Sequence, residues 1–212
     1  AAQINPTLGN YERERIERSK PNNYSAWEYY MRSLKVFYEK STKDREDKNL
    51  NDSREFCEKA IEKDPLFSLA YSMLAKINHS ELIGFAKEDS DAILDEMFEN
   101  ASKAAELDPQ NPESSVMLST YYFFKGDFTF SQNHAEKAVE LNPSNPEAYM
   151  RLGLSMIHQG DYENSEEFVR KSIEIDPLDP KIVRRKIPYF FLYMGRKEFQ
   201  KAFEITKEIL EH

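Results

Sequence analysis

Cysteine is all but missing from this 212-residue chain: Cys57 stands alone, so no internal disulfide and no Cys-rich zinc site can form. Glycine is scarce as well, with 6 residues against an average near ~7%, which argues against a β-rich fold with many tight turns. No uninterrupted apolar run is longer than Ile187–Met194, far short of the roughly 20 residues that span a bilayer. Residues 1–11 lack the apolar centre of a secretory signal. Positive charge is in deficit: 29 Lys and Arg face 38 Asp and Glu, for a net charge of −9. Nucleic acid, which needs a basic face, loses weight as a partner. Aromatic residues are plentiful at 13%, ample material for packed cores and a poor match to disorder.

What the chain does have is an internal repeat. Leu107-Asp108-Pro109, Leu141-Asn142-Pro143 and Ile175-Asp176-Pro177 place their prolines 34 residues apart; Lys63-Asp64-Pro65 lies 44 residues before Pro109. Each proline closes a helical pattern related to Glu-Lys-Ala-x-Glu-x-Asp/Asn-Pro, with Ala60, Ala104, Ala138 and Ser172 at one shared position. The first half of each unit repeats too. Tyr149, Leu152, Gly153 and Met156 match Ser115, Leu118, Ser119 and Tyr122, and then Tyr71, Leu74, Ala75 and Asn78. Their i, i+3, i+4, i+7 spacing puts the four positions on one helical stripe. Gly126-Asp127-Phe128 and Gly160-Asp161-Tyr162 supply a glycine for a left-handed helix end and an Asp N-cap for the next helix. Asn111-Pro112-Glu113 and Asn145-Pro146-Glu147 restart the cycle with an N-cap and proline at the first helical position. Ser131, Ala135 and Ala138, like Ser165, Val169 and Ser172, line the second helix with residues small enough for close approach.

This pattern resembles the tetratricopeptide repeat, whose signature is an aromatic, Leu, Gly and Tyr on helix A, then Ala, an aromatic and Ala on helix B, then Pro. The resemblance implies an all-α fold: a right-handed solenoid of antiparallel helix pairs, a superhelix of about five repeats. Expected bounds are 24–65, 68–109, 112–143, 146–177 and 180–209, after a linker within 1–20 that carries a short helix over 8–19. Ser41–Asn51 is charged, lacks apolar spacing and reads as a solvated inserted loop; a second insertion is expected near 79–90. In the last unit, Gly195 and Phe199 replace the Gly-Asp-Tyr turn, and Pro188 predicts a kink or late start.

A narrower resemblance lies at the start. Ile4-Asn5-Pro6, Glu12–Lys20 and Pro21–Leu34, with Phe67–Ala75, are similar to the junction between a TolB-like region and tetratricopeptide repeats in bacterial regulators. Those proteins begin with a class III adenylate cyclase or winged-helix domain. The chain opens without methionine and closes on Leu210-Glu211-His212, which looks like the start of a vector-encoded tag, so a segment cut from a longer protein is expected.

Catalytic chemistry is not legible. The six glycines never fall in phosphate-loop or dinucleotide spacing. There is no GxSxG or HExxH, and His79, His134, His158 and His212 form no i, i+4 pair. No catalytic residue, metal or cofactor is expected, and Cys57 reads as a buried structural thiol. Lys181, Arg184, Arg185 and Lys186 read either as a solvated helix start or as a contact for an acidic partner. The run Tyr189–Met194 is expected to pack on the fourth repeat and the last helix, or else to be exposed surface that awaits a further repeat cut from the chain, or a contact between chains.

The resemblance places a partner in the concave groove on helix A. There the residues are Leu69, Ser72 and Lys76; Glu113, Val116, Thr120, Phe123 and Phe124; and Glu147, Met150, Leu154, Ile157 and His158, with Arg151 beside them. The Lys/Asn clamp by which some relatives hold a terminal carboxylate is not met by Ser72/Lys76, Val116/Thr120 and Met150/Leu154. An apolar peptide or amphipathic helix is the better match. The expected function is a non-catalytic protein-interaction scaffold, the regulatory module of a larger signalling protein. The rivals are a free-standing adaptor and a helical enzyme scaffold. Homo-oligomerisation through the solenoid ends is a further expectation; nucleic acid and membrane are not expected partners. The cytoplasm is the expected compartment, with the periplasm left open.

Overall fold

The computed structural model describes residues 20–39, 43–84, 90–179 and 182–211; the expected short helix over 8–19 lies outside them. Every regular element there is helical. In chain order these are α1 (Tyr24–Tyr38), α2 (Lys43–Lys63), α3 (Ser68–Gly84), α4 (Ser90–Leu107), α5 (Pro112–Phe124), α6 (Phe128–Leu141), α7 (Pro146–His158) and α8 (Tyr162–Glu174). A 3-10 turn, Ile182–Lys186, leads into α9 (Ile187–Gly195) and α10 (Phe199–Leu210). The architecture is the expected all-α arrangement of antiparallel helix pairs. The chain forms two compact units that divide within α5, one ending at Met117 and the other beginning at Leu118.

Local chemistry sets the helix ends. Asp127 and Asp161 cap α6 and α8 by accepting from the backbone N–H of Phe130 and Asn164, and Asn145 caps α7 with Pro146 behind it. Gly126 and Gly160 take the left-handed conformation, with φ of 77° and 86°.

In the first unit α1 packs on α2, α2 on α3, and α3 on α4. Ser33, Ser53 and Cys57 meet where α1 and α2 approach, with Ser33 Oγ 2.8 Å from Ser53 Oγ and 3.0 Å from Cys57 Sγ. Cys57 is buried as expected, and that burial pushes its thiol pKa up to about 12 against the lowering effect of the Ser33 hydrogen bond. In the second unit α6 packs on α7 and α7 on α8, while α9 rests on α7, α8 and α10. Ser131, Ala135, Ala138, Ser165, Val169 and Ser172 are all fully buried along the second helices. Ser131 donates to the Ser119 carbonyl at 2.8 Å, and its Oγ lies 2.7 Å from Ser155 Oγ.

The structure corrects two local expectations and fills in a third. Residues 43–51 are not a loop: they are the opening turns of α2, which runs for 21 residues. Apolar spacing marks burial, not helicity, so a charged helical stretch can form without it. The second insertion is also helix in its described part. Relative to α5 and α6, of 13 and 14 residues, α3 and α4 are four residues longer each, at 17 and 18. The last turn is built differently too. Lys197, with φ 62°, holds the left-handed position, and Glu198 stands at the N-cap without a side-chain cap bond. Gly195 instead ends α9 where it meets Tyr162: a Cβ there would overlap the ring. Pro188 gives the late start, at the first turn of α9.

Candidate functional site

The repeat register of α1 is set by its contacts. Tyr29 stacks on Phe56 with ring planes 24° apart, as Tyr149 stacks on Phe168 at 20°. Ser33 then corresponds to Gly153, and Cys57 to Val169. In this register Trp27, Tyr30 and Leu34 fall at the helix A positions that face the groove, the ones held by Leu69, Ser72 and Lys76 in α3, and Tyr38 lies one turn beyond Leu34.

Those two sets converge. Trp27, Tyr30, Leu34 and Tyr38 of α1 and Leu69, Ser72 and Lys76 of α3 surround an open cavity of about 340 Å³, with Glu113 of α5 on its rim. Met31 and Met73 complete the wall. This is the low end of the size range of ligand pockets, which pair apolar walls with a few convergent polar groups. The polar groups here are the Tyr30 phenol, the Ser72 hydroxyl and an ion pair of Lys76 Nζ with Glu113, 3.7 Å apart. Lys76 Nζ also stands 5.4 Å from the centre of the Tyr38 ring. Burial raises the Tyr30 pKa well above the usual phenol range, and the Glu113 carboxylate adds to the rise while Lys76 opposes it. The phenol is a neutral hydrogen-bonding group at any physiological pH.

Ser72 of the wall is held by Asn111. Its amide donates to Ser68 Oγ at 2.8 Å and Ser72 Oγ at 2.7 Å, while its carbonyl oxygen caps α5 by accepting from the Glu113 N–H.

The expected groove residues separate into those that line the cavity, those buried away from it and those left at the surface, His158 among the last. Leu69, Ser72 and Lys76 line the cavity. Val116, Thr120, Met150, Arg151, Leu154 and Ile157 are buried, as Ser72 itself is, and they stand outside that cavity. Side-chain volume accounts for the contrast. The two positions filled in α7 by Met150 and Leu154 are Ser72 and Lys76 in α3, and the smaller or water-seeking pair leaves space beside α1. Arg151 is held under the surface 3.2 Å from Glu147, and burial lowers its guanidinium pKa against the raising effect of that carboxylate. Phe124 is exposed. His158 has Phe123, Phe128 and Phe191 within 4.8 to 5.3 Å, ring centre to ring centre.

The basic cluster is spoken for in part. Arg185 is buried and donates to the Ser172 and Asp176 carbonyls at the C-terminal end of α8, and it pairs with Asp179. Lys186 pairs with Glu208. Neither reads as a solvated helix start. Lys181 lies outside the described residues. Of the run Tyr189–Met194, Leu192 is fully buried against Ile157 and Val169, with Tyr189 and Tyr193 packed on the same cluster, while Phe191 and Met194 stay exposed. Among the described residues no group of three or more His, Cys, Asp or Glu side chains is gathered to hold a metal ion, and no helix is long and apolar enough to cross a membrane.

Comparison with known proteins agrees with this architecture. Residues 116–180 match the tetratricopeptide repeat model. Among solved structures, the chain is similar to a thermophilic tetratricopeptide-repeat protein from Thermus thermophilus (TM-score 0.64, 13% identity, 88% of this chain and 90% of that one). It is also similar to MamA (0.54, 19%, 88% and 91%), and to YrrB, described as a repeat protein with an unusual peptide-binding site (0.52, 16%, 95% and 91%). No curated protein matches the sequence. Residues 116–180 thus match the tetratricopeptide repeat, and the helix pairs share the fold of solved proteins built from it.

Proposed function

We propose that this chain is a protein-interaction scaffold that receives an apolar anchor of a partner polypeptide in the cavity between α1 and α3. The observation that carries the reading is the cavity itself, walled by Trp27, Tyr30, Tyr38, Leu34 and Leu69 with a Lys76–Glu113 pair at its edge. Its volume suits one large side chain and the backbone beside it. The aromatic wall suits an aliphatic or aromatic anchor, and the ion pair and phenol suit backbone amides flanking it. The peptide-binding site named for the similar YrrB supports a peptide ligand. No catalytic role is assigned to the chain, in keeping with the scaffolding character of such repeats.

The wider setting we infer is the regulatory module of a larger bacterial signalling protein, of the adenylate cyclase-like or transcriptional regulator kind. The phrases Pro21–Leu34 and Phe67–Ala75 support this through their likeness to the junction in those proteins. An immunoblot of source cells against this chain tests it. A band far larger than 24.9 kDa is expected, and a band of that size would overturn it.

The cavity has a built-in reporter, because Trp27 is the single tryptophan. Peptides selected from a displayed library should shift its emission on titration, and Leu69→Lys, which puts a charge in the wall, should weaken them at least tenfold. Selected peptides that bind equally well to the Leu69→Lys chain and leave Trp27 emission unmoved would place recognition elsewhere and refute the cavity.

A further inference from the structure

Two contacts recur wherever, in the second unit, the second helix of a pair receives the next helix. The first residue of α6, Phe128, packs on His158 near the end of α7, with ring centres 4.8 Å apart. Its fifth residue, Gln132, accepts a hydrogen bond from Gln159. One repeat on, the first residue of α8, Tyr162, covers Gly195 at the end of α9, and its fifth, Glu166, pairs with Arg196. Each incoming helix thus offers two consecutive residues at its C-terminal end, His158-Gln159 or Gly195-Arg196, and the second always complements its partner: amide to amide, cation to carboxylate.

The same two positions in α10 are Phe199 and Phe203, since Lys197-Glu198-Phe199 stands where Gly160-Asp161-Tyr162 stands in α8. Both are 60% exposed, and Leu210 on the same helix is 80% exposed. Only Ala202 of α10 is buried. A helix face that meets water carries polar residues there; this one replaces Gln132 and Glu166 by a phenylalanine.

We propose that the Phe199–Phe203 face of α10 is an interaction surface for one more helix, stacked as α7 stacks on α6 and α9 on α8. Its occupant is an amphipathic helix of a partner that offers a glycine or alanine opposite Phe199 and, next in sequence, an apolar residue opposite Phe203. The small residue follows from the Tyr162–Gly195 contact, where an aromatic ring fills the place of a side chain. The apolar residue follows from the complementarity of the second position at both internal interfaces.

The test supplies that helix at high effective concentration. A copy of residues 142–159, carrying His158→Ala and Gln159→Leu, is joined after His212; this keeps the 14-residue spacing from Phe199 that separates Asn142 from Phe128. The added helix should raise the thermal midpoint by about 5 °C or more and slow amide exchange along α10. Both effects should vanish in the F199D/F203D background, whose substitutions sit at exposed positions and leave the rest of the fold intact. A midpoint that does not move, or that moves equally in both backgrounds, would overturn the proposal. Self-association of the unextended chain that F203D abolishes would support the face, with a second copy supplying the helix.

Discussion

Gly153 of α7 lies against Val169 of α8 so closely that a Cβ on the glycine would fall 2.7 Å from Val169 Cγ2 and 3.3 Å from the Val169 backbone nitrogen. The corresponding pair in α5 and α6 is Ser119 and Ala135, both buried. The repeats trade volume across the contact: where the first partner loses its side chain, the second gains one. Gly153→Ala should destabilise by roughly 1–3 kcal/mol through overpacking, although helix propensity alone favours alanine by about 1 kcal/mol. Adding Val169→Ala should recover most of the loss, a coupling that urea denaturation of the two single variants and the double variant reads directly. Additive effects would refute the steric account.

Asn111 separates two roles that an N-cap normally combines. As caps, Asn and Asp are nearly equivalent, so Asn111→Asp should cost little if capping Glu113 were its whole contribution. Its amide, however, donates to two serine oxygens whose own protons are already given to carbonyls, Ser68 to Ala104 and Ser72 to Ser68. An aspartate would turn acceptors toward acceptors in a buried place. The variant should therefore lose about 1–3 kcal/mol, measured by denaturation at pH 7, and a neutral result would show that Ser68 and Ser72 are not held this way.

Much of this fold is legible in the sequence. The 34-residue spacing, the Gly-Asp turns and the small residues of α6 and α8 are local signals, and they placed those helices and their faces. The register of α1 was not local: it offers Trp27, Tyr29 and Tyr30, and only the stack of Tyr29 on Phe56, on another helix, singles out the repeat aromatic. The cavity stayed hidden for that reason. Equally hidden was the fate of Met150 and Leu154, which share helical positions with Ser72 and Lys76 but fill their space rather than line it. Helical position says which way a side chain faces; whether it is covered depends on the volume of its neighbours.

Cys57 gives the chain an alkaline weakness. Burial raises its pKa from 9.0 to about 12, so between those values the folded chain holds a proton that the unfolded chain has released. The stability tied to the neutral thiol is whole below pH 9 and falls as pH rises toward 12. Tyr30, raised in the same direction by its own burial, adds to the decline at higher pH. Cys57→Ala should shrink the difference in unfolding free energy between pH 8 and pH 10.5. Ser53 still meets Ser33 in that variant, so the packing loss is felt at both pH values alike. A pH dependence identical to that of the parent chain would refute the assignment.

The turn before α10 is a place where the chain is short of its own best solution. Lys197 sits at φ 62° where Gly126 and Gly160 sit in the two preceding turns, and Glu198 makes no cap bond where Asp127 and Asp161 do. A non-glycine residue in the left-handed region carries a strain of order 1 kcal/mol, partly offset by the larger unfolded-state entropy that glycine brings. Lys197→Gly should thus gain a few tenths of a kcal/mol at most, and Glu198→Asp a further ~0.5–1 kcal/mol by capping. The two gains act on different backbone groups and should add. Thermal melts of the single and double variants measure them. Slowed amide exchange confined to the first turn of α10 would locate the effect at the cap, whereas a double variant no more stable than the parent would show that this turn is already satisfied by contacts outside itself.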